Sequence, residues 1–104
     1  MISPPLLPSE SQLMADVFRA HPEVSEVRLF GSRAKGTHAP SSDVDLALLG
    51  NLNALQAEAI AAELDELPLP YHFDVIAFDL IKLQPLREHI ERVGVRLYPP
   101  AKSP

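Results

Sequence analysis

Apolar residues recur at helical spacing in three parts of the chain. The first run covers residues 13–18, follows a capping-box spacing of Ser9 and Gln12, and ends at His21–Pro22. A second helix is predicted after Asn51 or Asn53, because either side chain can cap a helix N-terminus. Its apolar positions continue until the Pro-rich stretch 67–70.

A third helix is predicted near the end of the chain. Pro85 is placed in its first turn, where a missing N–H costs nothing. Leu86, Ile90 and Val93 follow at helical spacing. Gly94 comes directly afterwards and is predicted to be the C-terminal stop.

Four shorter runs have the pattern of strands. Residues 26–30 alternate charged and apolar positions, which is typical of a half-buried strand. Residues 43–49 are apolar at nearly every position other than two acids, which favours a strand covered on both faces. Residues 73–78 and 95–98 complete the set. The alternation of helices and strands predicts an α/β (α+β) fold with a small mixed β-sheet and flanking helices.

The size and composition indicate one domain. A chain of 104 residues with 46% hydrophobic residues can bury a single modest core. We expect residues 9–98 to form the domain. We expect residues 1–8 to be a flexible N-terminal segment and 99–104 a loose C-terminal tail, since both are rich in proline.

Charge and residue usage exclude several functions. The net charge is −5 and the basic residues are scattered, so nucleic acid is disfavoured as a direct ligand. The chain has no cysteine, which excludes disulfides, thiolate chemistry and cysteine-bound zinc. No apolar run is long enough to cross a membrane, and the N-terminus lacks a secretory signal pattern. We therefore expect a cytoplasmic protein.

Two acids lie inside the second predicted strand. Asp43 and Asp45 are two residues apart, so in a strand they project from the same face. Asp74 lies in the third predicted strand, and the three carboxylates can converge if the two strands are neighbours. Three hard oxygen donors suit Mg²⁺, which prefers carboxylates, water and substrate phosphates. We favour this metal site over isolated surface acids because a Gly-Ser loop precedes the pair.

Other interpretations of these residues stay open. The acids can instead lie in solvent, or pair with Arg28, Arg33 or Lys35. Asp79 is a second candidate for the third acid, but it follows the predicted strand end and has the opposite parity from Asp74. The stretch "GSRAKGT" differs from a phosphate-binding P-loop, since its lysine precedes the second glycine.

The whole stretch "GSRAKGTHAPSSDVDLAL" resembles the signature of the DNA polymerase β-like nucleotidyltransferase superfamily. The chain resembles the smallest branch of that superfamily, the minimal nucleotidyltransferase (MNT) antitoxins, which are the partners of HEPN-domain toxins. The resemblance extends from the first helix to Tyr98 and includes "LREHIERVGVRLY" near the end. It implies the nucleotidyltransferase fold.

The resemblance also implies a mechanism. Asp43 and Asp45 would hold two Mg²⁺ ions that arrive with ATP. Asp74 would complete the site by binding the catalytic metal and helping to deprotonate the attacking hydroxyl. Two such ions stabilise the incoming and leaving oxygens of an in-line displacement. Ser32 would contact the nucleotide phosphates, and Gly31 would allow their close approach.

The acceptor follows from the same resemblance. Arg33 and Lys35 would add positive charge near the triphosphate. AMP would be transferred to a hydroxyl, most simply a tyrosine, of a cognate HEPN toxin, in a hetero-oligomeric complex of a type VII-like toxin–antitoxin pair. Two alternatives remain: a non-catalytic antitoxin that neutralises the toxin by binding, and a nucleotidyltransferase for a small-molecule acceptor.

Overall fold

The computed structural model describes residues 8–31 and 43–99. The helices in these stretches are α1 (Pro8–Arg19), α2 (Ala54–Asp65) and α3 (Gln84–Val93), with a short 3-10 helix at Phe78–Leu80. The strands are β1 (Val24–Phe30), β2 (Val44–Gly50), β3 (Phe73–Ala77) and β4 (Val95–Tyr98). Every predicted helix and strand is present. None of the helices in the described stretches is long and apolar enough to cross a bilayer.

The strands form one mixed sheet in the order β3-β2-β1-β4. β1 runs antiparallel to both of its neighbours, β2 and β4. β2 and β3 run parallel to each other. The C-terminal end of β1 and the N-terminal ends of β2 and β3 therefore lie at the same end of the sheet. The small mixed sheet with flanking helices confirms the predicted fold class.

The capping prediction for α2 holds at Asn53. The Asn53 side chain accepts from the backbone N–H of Gln56 at 2.8 Å, and the Gln56 side chain accepts from the Asn53 N–H at 2.8 Å. The helix ends at Asp65, before the predicted stretch 67–70. Leu67 precedes Pro68, whose ring disfavours helical dihedrals at the residue before it, so the last turn cannot continue.

Other boundaries differ from the prediction. α1 begins at Pro8, so Ser9 lies inside the helix, and β1 begins at Val24 and not at residue 26. Asp43 precedes β2, because the pairing with β3 begins only at Val44 and Phe73. Phe78 leaves β3 and enters the 3-10 helix, where the Arg87 guanidinium lies 4.4 Å from its ring centroid and donates to its carbonyl oxygen at 2.9 Å. Gly94 does follow α3, but its φ of −64° is extended, so the helix stops without a left-handed residue.

Two apolar clusters cover the two faces of the sheet. The larger core lies under α1 and α2 and consists of Met14, Phe18, Val24, Val27, Leu29, Val44, Leu46, Leu48, Leu52, Ala57, Ile60, Leu64, Phe73 and Ala77. The smaller core lies on the α3 face and consists of Ala47, Phe78, Ile81 and Ile90. β2 contributes to both clusters, which confirms that it is covered on both faces.

Candidate active site

The sheet brings two of the predicted acids together. Asp45 of β2 and Asp74 of β3 are directly paired in the parallel register, so the strands are neighbours as the carboxylate hypothesis required. Neighbouring strands are about 4.8 Å apart, and paired residues point to the same face. Asp45 is half-buried and Asp74 is exposed. Asp43 is exposed and has the parity of Asp45, one residue before β2 begins.

These acids occupy one end of the α3 face. Asp45 shares its parity with Ala47 of the smaller core, and Asp74 shares its parity with Ile76, which packs against that core. Across the sheet, Asp45 is paired with Phe30, the last residue of β1. The α3 face of the sheet therefore changes from apolar to acidic at the end where β1 finishes and β2 and β3 begin.

Gly31 makes room for the Asp45 carboxylate. It follows β1 directly and has a φ of +78°, a conformation that residues with a Cβ rarely adopt. A Cβ built on it would lie closer than 3.0 Å to Oδ2 of Asp45. Sequence reasoning assigned Gly31 to the approach of phosphates and missed this steric role. Only the register of β1 against β2 reveals it.

Burial and the neighbouring acids disfavour ionisation of Asp45. Burial raises the pKa of the Asp45 carboxyl above its usual range, and the nearby charges of Asp74 and then Asp43 raise it further. The acids are therefore close enough to repel one another. A cation placed among them would remove this repulsion.

The alternative of pairing with Arg28 is not found. The Arg28 guanidinium forms an ion pair with Glu26 and donates to the Glu91 carbonyl oxygen at 3.4 Å. The ion pairs of residues 8–31 and 43–99 do not include the three acids. Asp79 is exposed in the 3-10 helix and lies beyond the end of β3, as predicted from the sequence.

The metal prediction concerns the three carboxylates Asp43, Asp45 and Asp74. Within the part of the chain that the structure describes, no group of three or more His, Asp or Glu side chains is arranged to hold one ion. Three carboxylates that repel one another have the chemistry to bind a divalent cation. The three-carboxylate site stays a prediction. Ser32, Arg33 and Lys35 lie outside the described residues, and their predicted nucleotide contacts also stay predictions.

Solved structures support the same fold. A toxin–antitoxin complex with AMP-PNP has a TM-score of 0.72 at 23% identity, covering 85% of this chain and 72% of that one. A tri-AMPylated Shewanella oneidensis HEPN toxin in complex with MNT antitoxin gives 0.66 at 19%, covering 86% and 70%. A nucleotidyltransferase-like protein from Sulfolobus solfataricus gives 0.51 at 20%, covering 83% and 73%. At these identities the likeness establishes the fold alone.

The family rests on a separate comparison. No curated protein matches the chain. The family model described as "Polymerase beta, Nucleotidyltransferase" matches residues 12–102, which include all three acids and every strand. The chain belongs to the polymerase beta nucleotidyltransferase family.

Proposed function

We propose that this protein is a metal-dependent nucleotidyltransferase that moves AMP from ATP to a hydroxyl of a HEPN-domain toxin and thereby acts as its antitoxin. The observation that carries the proposal is the direct pairing of Asp45 with Asp74, with Gly31 leaving room for the Asp45 carboxylate. A carboxylate pair at the open end of a sheet face is suited to bind cations and to accept a proton.

The chain's own residues have separate tasks in this reaction. Asp43 and Asp45 would hold divalent cations, which supply charge stabilisation at the transferred phosphoryl group. Asp74 is exposed, so its carboxylate can accept the proton of an incoming hydroxyl. The hydroxyl oxygen forms a bond to the α-phosphorus, the bond from that phosphorus to the bridging oxygen breaks, and pyrophosphate leaves.

The choice of a protein acceptor has two supports. One similar structure is a toxin–antitoxin complex with AMP-PNP, and another contains a tri-AMPylated HEPN toxin. The present chain is small and carries a net charge of −5, which favours encounter with a basic protein surface. An AMP group added near the toxin's catalytic residues would block them by its bulk and negative charge.

Substitution of Asp74 tests the proposal. Asp74→Asn keeps the shape and removes the proton acceptor, so we expect transfer to fall roughly a hundred- to ten-thousandfold. The toxin is co-expressed with each form of the chain, and its intact mass reports the added nucleotide. Asp79→Asn is the matched control, because Asp79 is also an exposed acid but lies beyond the end of β3.

The outcomes separate the competing functions. A toxin modified by the wild type and Asp79→Asn but not by Asp74→Asn supports the proposal. A toxin that is inhibited without carrying a nucleotide would leave a non-catalytic, binding antitoxin. Equal modification by all three forms would keep the activity and remove Asp74 from it.

A further inference from the structure

An apolar groove opens along the outer edge of β3, where the first turns of α2 approach the strand. Its volume is about 200 Å³. The groove is lined by Ala54, Ala57, Glu58, Val75, Ile76, Ala77 and Leu80. We call it the β3 groove. Within the described residues β3 pairs only with β2, so the groove lies on an uncovered edge of the sheet.

The rim of the β3 groove exposes leucine to solvent. Leu80 lines it and is 48% exposed. Leu55 is 74% exposed and lies one helical turn before Glu58, on the outer side of the same helix. Exposed leucines beside an apolar groove on a sheet edge are typical of a protein–protein contact.

The β3 groove adjoins the acids. Ile76 lines it and is two residues after Asp74 in β3. The two side chains share a face and are about 7 Å apart along the strand. A partner that covers Ile76 is therefore held next to the carboxylate to which we assign proton abstraction.

The charge around the β3 groove indicates its occupant. Among the described residues that line the groove, Glu58 is the only ionisable one, and Asp74 and Asp79 lie next to lining residues along the chain. Complementary chemistry is an apolar side chain with lysine or arginine beside it. Glu58 is exposed, so a lysine or arginine of a partner can approach its carboxylate.

We propose that the β3 groove is the docking site for the acceptor protein, which inserts an apolar side chain there and places flanking basic residues near Glu58. This inference rests on the proposed function and names the surface that brings the acceptor hydroxyl to Asp74. Because the β3 groove lies next to Asp74, a protein that binds in the groove would be selected as the acceptor.

The first test replaces the exposed leucines. Leu55→Ser changes a side chain that is largely in solvent and Leu80→Ser one that is about half exposed, so we expect both variants to fold. We expect each to weaken the affinity for the HEPN-domain acceptor of the proposed function ten- to a hundredfold, measured by calorimetry without ATP. The matched control is Val95→Ser, because Val95 is 44% exposed on β4, at the opposite edge of the sheet.

The second test reverses a charge. Glu58→Lys places a cation where the proposal puts the partner's basic residues, so affinity should fall and the loss should shrink as salt is added. Glu66→Lys makes the same change at the far end of α2 and should have little effect.

The results distinguish this inference from the proposed function. Wild-type affinity for the Leu80 and Leu55 variants, with intact AMP transfer, overturns the docking site alone. Weakened binding by those variants with no transfer by the wild type keeps the docking site and overturns the enzyme. Variants that convert a dimer of this chain to a monomer, without changed toxin affinity, would show that a second copy occupies the groove and overturn the proposal.

Discussion

The two faces of the sheet differ in how far their apolar surface extends. The face under α1 and α2 is apolar along the whole length of β2, with Val44, Leu46 and Leu48 fully buried. On the α3 face only the middle of β2 is fully buried, at Ala47. The first residue of β2 on that face, Asp45, is half-buried. One face therefore buries most of the apolar surface of β2, and the incomplete burial of the other leaves the acids accessible to solvent.

The largest expected effect comes from the fully covered face. Leu46→Ala removes a side chain that has no exposed surface, so the free energy of unfolding should fall by about 3 kcal/mol. Leu86→Ala on the α3 face removes a half-buried leucine and should cost about 1 kcal/mol. Urea denaturation measures both, and equal losses would contradict the expectation that the fully covered face contributes more stability.

The next effect concerns Gly31. Gly31→Ala should lower the free energy of unfolding by about 2 kcal/mol, because a Cβ is disfavoured at a φ of +78°. It should also displace the Asp45 carboxylate and abolish transfer, since the added atom needs the space of Oδ2. Denaturation and AMP transfer are measured on the same preparation.

A double-mutant cycle separates the two causes. In an Asp45→Ala background, Gly31→Ala meets no carboxylate, so only the backbone cost should remain. An identical cost in both backgrounds would show that Gly31 does not make room for Asp45.

The smallest effect is electrostatic. The pKa of Asp45 is raised in the folded protein above 3.8, the usual pKa of an aspartate. Ionisation of Asp45 therefore destabilises the fold as the pH rises above 3.8. Asp45→Asn removes that cost and should be more stable than the wild type at pH 7 by at most about 1 kcal/mol. The difference should vanish below pH 3.8, where the carboxyl is protonated in both the folded and unfolded chains.

Urea titrations at several pH values and salt concentrations check this sign. The advantage of Asp45→Asn should also shrink with added salt, which screens Asp74 and Asp43. A wild type that is more stable than Asp45→Asn at neutral pH would mean that a favourable contact outweighs the repulsion.

Local signals were enough to predict the elements of the fold. Asn53 and Gln56 are three residues apart and cap α2 through contacts that involve no other element. Boundaries failed where distant residues decide them. Phe78 leaves the strand pattern because Arg87, nine residues later, holds its ring and its carbonyl.

The candidate site shows the same division. The parity of Asp43 and Asp45 is a local property and could be read from the sequence. The pairing of Asp45 with Asp74 depends on strand order, which spacing alone does not determine. The steric role of Gly31 needs the register of β1 on β2 as well, so it was beyond sequence reasoning.

The central position of β1 has a consequence for folding order. β1 pairs with β2, which follows it closely, and with β4, whose residues come more than 60 positions later. The β1–β2 and β2–β3 pairings do not involve β4, so Asp45 can meet Asp74 before β4 docks. Until then one edge of β1 has no partner strand and can pair with another chain. We expect β4 to act chiefly as protection against aggregation, after the acids are already aligned.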